Sequence, residues 1–461
     1  MALFGWPLVC IVLFNRLTLE KAIVWSMLGG YMLLPSGLVL DAAVLPPLDK
    51  MSITTLAVLV LCWVFGSRTP RPQPSYFLLI FPAVLVFCPI LTSFTNSYEL
   101  QTASASIPGF YPLTGLKFSG RHLLLLLPMY IGFRYLSTDD ARAALLASIP
   151  TATLFYSIPM LFEIRMSPQL HRWVYGYFPH ASFAQQMRDG GFRPVVFFSH
   201  GLALALFTAI ALLAALILLR QRTRIFGLSA GLSATYLTAL LLLCKSLGPV
   251  LYAVTLSPII LLTKPRFWVK IGCAASLFVC AYPILRSTGL SPTDLVTSVA
   301  RSVSVDRSKS FETRLQNEEQ LLSKAREKPL LGWGEWGRNR IYDEWTGQDI
   351  SRTDGAWILQ LGTFGWVGYI GLFGLMAAAE FAALKRTGKE ITPANINRGG
   401  LALLLGVYII DSIPNATDFS LIFLMAGAAA SVPRPQRSDA VSTRLRNAGQ
   451  TIKPVAGVGT T

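Results

Sequence analysis

Residues 310–358, SFETRLQNEEQLLSKAREKPLLGWGEWGRNRIYDEWTGQDISRTDGAWI, are polar and charged, and apolar runs lie on both sides of them. The contrast decides the fold. The 461-residue chain is 53% hydrophobic and only 14% charged, with a mean hydropathy of +0.51. A composition this apolar places the repeated apolar runs in lipid rather than around a soluble core. A bilayer core of about 30 Å asks for roughly 20 apolar residues per helix. No alternating pattern of barrel strands is present. The expectation is therefore an all-α fold, a polytopic membrane helix bundle of about 12–13 transmembrane helices with one large periplasmic loop.

Spans are expected at 2–14, 22–40, 53–66, 76–94, 121–136, 143–162, 199–219, 226–244, 250–262, 269–285, 356–379, 401–413 and 419–432. They divide the chain into membrane helices over 1–285 with a smaller outward loop near 163–198, a large loop over 286–355, C-terminal membrane helices over 356–432, and a cytoplasmic tail at 433–461 expected to be disordered. Basic residues cluster in alternate connections: Arg16 and Lys21, Arg68 and Arg71, Arg134 and Arg142, Arg220 to Arg224, Lys264 to Lys270, and Lys385 to Lys389. These set the cytoplasmic side, where Arg434, Arg437, Arg444 and Arg446 of the tail also fall. Both polar loops then face outward. The net charge of +16 is assigned to orienting loops that meet anionic lipid, not to nucleic acid.

The six cysteines lie within or at the edges of apolar spans, so neither a disulfide framework nor a metal-ligand spacing emerges. The large loop occurs once and nothing in the first half mirrors it, which weighs against a transporter built from two related halves.

Chemistry concentrates in the two loops. In the smaller, RDGGFRP puts Arg193 just ahead of a long apolar helix, with His200 beside that helix. A guanidinium there is either an interfacial anchor or a bidentate clamp for phosphate oxygens. In the larger, Phe311, Leu315, Leu322 and Ala325 recur at helical spacing and Arg314 pairs with Glu318 at i, i+4. That predicts an amphipathic helix starting near Ser310 and stopped by Pro329. PLLGWGEWG follows, with glycines for tight backbone and tryptophans suited to a membrane interface or a sugar face. Asp343, Glu344 and Asp349 have no calcium-loop spacing and read as a solvated acidic surface. Asp354 stands apart, because it sits where the loop re-enters the bilayer and can take a proton from a sugar hydroxyl. Asp411, in VYIIDSIPN, reads as a span-end residue capped by Ser412 and the turn at Pro414, or as part of an ion path.

In this order, the arginine, PLLGWG, and a polar pair leading into LQLGTFGWVG resemble the O-antigen ligase and O-antigen polymerase superfamily. Its loop carries an Arg ahead of a PLLGxGxG element and then HNxxLxxxxxxGxxG. Laid onto this chain, these match Arg314, residues 329–334, and Gly365 with Gly368, placing the family's His at Asp354 and its Asn at Gly355. FRPVVFFSHGLALALF resembles the family's earlier arginine element at Arg193, and CKSLGPVLYAV its short basic turn at Lys245. The resemblance implies a cofactor-free, metal-independent glycosyltransferase of the bacterial inner membrane. It would join undecaprenyl-pyrophosphate-linked oligosaccharide units into an exopolysaccharide or O-antigen on the periplasmic face. Arg193, Arg314 and Lys245 would bind the pyrophosphate and Asp354 would act as base, while Trp333, Arg338, Arg340 and His200 would line the glycan path. Membrane lipids and a chain-length regulator are the implied partners, and no nucleic acid is. Asp in the place of His favours polymerisation over ligation to a lipid acceptor. The remaining alternative is a carrier or flippase for lipid-linked sugars, with Arg193, Lys245 and Asp411 along its path.

Overall fold

The computed structural model describes residues 2–41, 45–66, 72–180, 182–188, 190–290, 305–351, 354–417 and 420–432, with the side chains of 305–311 excepted. Arg68, Arg71 and the expected tail at 433–461 lie outside the described residues.

Each of the thirteen expected spans coincides with a helix. They are α1 (Ala2–Arg16), α2 (Leu19–Leu33), α3 (Lys50–Phe65), α4 (Phe77–Phe94), α5 (Pro112–Tyr135), α6 (Asp139–Met166), α8 (Gly201–Arg220), α9 (Ala230–Leu243), α10 (Leu247–Leu262), α11 (Pro265–Ser287), α13 (Ala356–Arg386), α14 (Pro393–Asp411) and α15 (Leu421–Ala430). Among the described residues two further helices sit in the polar loops, α7 (Leu170–Tyr175) and α12 (Val305–Arg326). Five helices, α4, α6, α8, α11 and α13, are long and apolar enough to cross a membrane, and α1, α3, α9, α10 and α15 are shorter apolar helices of 10–17 residues. The chain is an all-α membrane helix bundle. Among the described residues the strands amount to three two-residue hairpins.

α8 is apolar all round and buried along nearly its whole length, the pattern of a helix at a bundle's centre. α2 ends seven residues short of its expected limit, because Pro35 cannot continue it and Gly37 turns the chain at φ 81°. α12 starts at Val305 rather than near Ser310 and still stops ahead of Pro329.

Successive helices run in opposite directions, so the 163–200 and 286–355 loops share one face, called here the loop face. At the other face buried arginines satisfy helix C-terminal carbonyls, which have no partner within their own helix. Arg142 donates to Ala428 O at 2.9 Å and Ser431 O at 2.8 Å, Arg220 to Ile260 O at 2.7 Å, and Arg398 to Arg386 O at 3.0 Å.

α13 is broken at Gly365, which takes φ 60° and ψ −164°. A break at membrane depth leaves backbone groups that water cannot reach, and they must be met by other protein groups. The PLLGWG element meets them. Trp366 N donates to Pro329 O at 2.8 Å and Val367 N to Leu330 O at 3.1 Å, while Trp333 N and Gly334 N donate to Gly362 O and Thr363 O at 3.0 and 2.8 Å. α4 closes the clasp from behind: Thr92 Oγ1 donates to Leu331 O at 2.7 Å and Asn96 Nδ2 to Gly332 O at 3.0 Å. A Cβ on Gly332 would stand 2.5 Å from the Thr363 carbonyl. The two glycine elements that the sequence places 30 residues apart are thus one structural unit, which fixes the large loop to the membrane helix behind it.

Candidate active site at the loop face

The site is built on the end of α6. Glu163 is fully buried, and its carboxylate accepts from Val195 N at 2.8 Å, Val196 N at 2.7 Å and Leu170 N at 3.0 Å. Three amides from two stretches of the loop are thereby held against one helix end. The hairpin Met187–Arg188 with Gly191–Phe192 then delivers Arg193, whose N–H donates to Gln186 O at 2.8 Å. Glu163→Ala leaves those donors buried and unpaired, a loss on the order of 3 kcal/mol. We expect a lower melting temperature in detergent and faster proteolysis within residues 170–198.

Arg193 is 4% exposed, so it does not snorkel to the headgroups as a bare anchor would. Its Nη2 donates to Lys245 O at 3.0 Å, and Lys245 Nζ donates back to Arg188 O at 2.9 Å. The hairpin and the turn between α9 and α10 are therefore laced together by two cations. Lys245 holds φ 51°, a left-handed conformation costly for a residue with a long side chain and one that recurs at functional sites.

His200 lies at the same place, as the N-cap of α8 rather than inside the helix. Its Nδ1 accepts from Leu202 N at 3.0 Å, which leaves Nε2 to donate to Gln185 Oε1 at 3.3 Å. Its ring stacks edge-on against His180 at 4.8 Å. Burial, with His180, Arg193, Arg188 and Arg314 adding to it, pushes its pKa down to about 3, so the ring is neutral near pH 7. A neutral histidine near several arginines marks a strongly positive, partly desolvated region.

α12 supplies the other half. Arg314, expected to pair along its own helix with Glu318, instead reaches across to the start of α13: its Nε is 3.1 Å from Asp354 Oδ2. Both side chains keep access to solvent, at 32% and 41%. Gly355, at the position of the family's Asn, packs its α-carbon onto the Ile413 carbonyl with no room for a side chain. The α13 entry donates to carbonyls of the turn after α14, Ala356 N to Asn415 O at 3.2 Å and Trp357 N to Ser412 O at 3.3 Å. Asp411 is buried there and accepts from Asn415 Nδ2 at 3.0 Å and from Thr417 Oγ1 at 3.4 Å. Asn415, Thr417 and the Tyr252 hydroxyl of α10 are its partners, in place of the expected Ser412 cap, whose hydroxyl turns to Ile409 O.

Arg193, Lys245, Arg314 and Asp354, singled out in the sequence, thus meet at the loop face, joined by Arg188 and His180, which were not. The sugar-facing residues fare differently. Trp333 is 6% exposed, donates to Lys324 O at 2.8 Å, and has Lys324 and Lys328 Nζ over its ring at 3.8 and 4.5 Å. Arg338 is 1% exposed and donates to Trp333 O at 3.0 Å and to Tyr98 O and Pro108 O at 2.9 Å. Both belong to the scaffold around the clasp, and burial leaves neither a face for a glycan. Arg340 is exposed and pairs with Asp349 at 2.5 Å, while Asp343 caps its own turn through Thr346 N at 2.6 Å. Two cavities of about 810 and 530 Å³ are apolar gaps between membrane helices lined by residues such as Trp63, Leu126, Trp6 and Phe155. Neither contains a residue of the cation and carboxylate cluster.

Comparison of the chain with protein-family models and with curated proteins finds no match, so the functional reading rests on the chemistry of these side chains.

Proposed function

We propose that the chain is a glycosyltransferase of the bacterial inner membrane that joins undecaprenyl-pyrophosphate-linked oligosaccharide units into a longer glycan on the outer, periplasmic face. The observation that carries this reading is the Arg314–Asp354 pair, 3.1 Å apart, within electrostatic reach of the cluster of Arg188, Arg193, Lys245 and His200.

The anomeric carbon of the donor is already activated by its diphosphate. Transfer requires that the bond from that carbon to the diphosphate oxygen break, that a hydroxyl of the acceptor glycan bond to the carbon, and that the hydroxyl lose its proton. Negative charge grows on the leaving diphosphate. Guanidinium and ammonium groups fixed by their own hydrogen bonds stabilise that charge without reorganising, which is the largest single contribution such sites make. Asp354 takes the proton, and Arg314 holds its carboxylate in register, a positioning role that replaces part of the diphosphate binding expected of it. The buried Arg193, held to Lys245 O, favours a fixed substrate site over a moving carrier path, and so does the engagement of Asp411 by Asn415, Thr417 and Tyr252.

The test is reconstitution of purified protein with lipid-linked repeat units alone. Longer glycans and stoichiometric release of lipid diphosphate are expected. Movement of the lipid across the bilayer at constant glycan length indicates a carrier, and transfer only after a lipid acceptor is added indicates a ligase.

A further inference from the structure

Glu318 is a carboxyl at the loop face whose surroundings the mechanism above leaves unexplained. It sits one turn beyond Arg314 on α12, on the side that also buries Leu321, Leu322 and Ala325, and it is 7% exposed. Its Oε2 and the Trp357 indole nitrogen are both buried and face one another, and among the described residues neither has a partner at close hydrogen-bond distance, so the contact between them is at most a long one. Arg286 Nε, at 3.9 Å, is too far to donate. A carboxylate kept for structure alone would be fully hydrogen-bonded, because an orphaned buried acceptor costs about 1–3 kcal/mol.

The groups facing Glu318 are few. α11 contributes Arg286 and Tyr282, with Arg286 shared by Glu319 at 3.6 Å and its Nη2 donated to Leu315 O at 3.1 Å. α12 contributes Arg314, and the α13 entry contributes Asp354 and Trp357, whose ring stands edge-on to Tyr282 at 4.9 Å. Of these groups, Arg314 and Asp354 also form the exposed ion pair of the site, which joins Glu318 to it.

We propose that Glu318 is a second carboxyl on the proton path of glycan transfer, receiving from Asp354 the proton that the acceptor hydroxyl gives up. The inference rests on the transferase reading. As the acceptor oxygen bonds to the anomeric carbon, the carbon–oxygen bond to the diphosphate breaks and its electron pair leaves with the diphosphate. The hydroxyl proton passes to the Asp354 carboxylate and on to Glu318, and it returns to water through Asp354 once product has left. Asp354 is then a carboxylate again for the next unit. Glu318 suits the task because burial, helped by the Asp354 carboxylate and opposed by the Trp357 indole, Arg286 and Arg314, pushes its pKa up to about 7. It accepts a proton above that pH and cannot below it.

The experiment is the pH dependence of extension by the full-length protein in proteoliposomes, from pH 5 to 9. Wild type is expected to lose rate as the pH falls through about 7. Glu318→Gln should remove that limb and lower the plateau by about 10- to 100-fold with KM unchanged, and Glu318→Asp should restore a limb. A Gln variant that keeps the wild-type limb, at full or reduced rate, overturns the role of Glu318 while leaving the transferase reading standing. Absence of extension by the wild type overturns both.

Discussion

Asp354→Ala should lower the rate of glycan extension by about 10²- to 10⁴-fold, the usual worth of a positioned proton acceptor. Asp354→Asn should fall nearly as far, because the amide keeps the shape and loses the basic oxygen. Arg314→Ala removes the guanidinium 3.1 Å from Asp354 and leaves the carboxylate unguided, so its loss should be smaller. Residues that act as a unit are not additive. Adding Arg314→Ala to Asp354→Ala should therefore cost little more than Asp354→Ala alone. Initial rates for the three variants and the double variant, in matched proteoliposomes, give the comparison. Fully additive losses would mean that the two side chains serve separate purposes.

Gly365→Ala should prevent accumulation of folded protein. At φ 60° and ψ −164° the backbone is open in practice only to glycine, and a Cβ there would collide with the Leu330 carbonyl. Relief of that collision pulls residues 329–334 out of the break in α13 and orphans four backbone bonds of 2.8 to 3.1 Å. At about 1 kcal/mol each, together with the strain, the loss is roughly 4–7 kcal/mol, comparable with the whole stability of many domains. Gly231→Ala is the control: it lies within α9, its nearest neighbour is an ordinary 3.7 Å away, and it should be neutral or slightly stabilising. Size-exclusion profiles and melting temperatures in detergent distinguish the two.

Apolar runs are conspicuous against polar connections, which is why a helix stands at each of the thirteen expected spans, with the largest overextension at the end of α2 and a smaller one at the start of α9. The same contrast exposed Arg193, Lys245 and Asp354, each a polar residue at the end of an apolar run. Glu318 was legible as a member of an amphipathic helix but assigned to Arg314 beside it, because sequence spacing shows only neighbours on the same helix. Its actual surroundings come from α11 and α13, brought there by the fold. Glu163 was hidden for the opposite reason: at the end of an expected span it reads as the start of a loop, and nothing local reveals that the amides of Val195 and Val196 return to it. Trp333 misled because an aromatic beside glycines suits a sugar face as well as it suits the packing it actually serves. The glycine elements were visible as motifs, but that Gly332 and Gly365 occupy one another's space follows only once α13 is seen to break.

Binding of a polyprenyl diphosphate to the purified protein reaches the central claim without waiting for turnover. A fluorescent short-chain polyprenyl diphosphate, titrated in detergent, should bind at least about 10-fold tighter than its monophosphate, since each charge-assisted contact to the added phosphate is worth about 1.5–3 kcal/mol. Arg193→Ala should erase most of that preference. Equal affinity for the two lipids, or a preference that survives Arg193→Ala intact, would contradict a site built to hold a departing diphosphate beside Asp354.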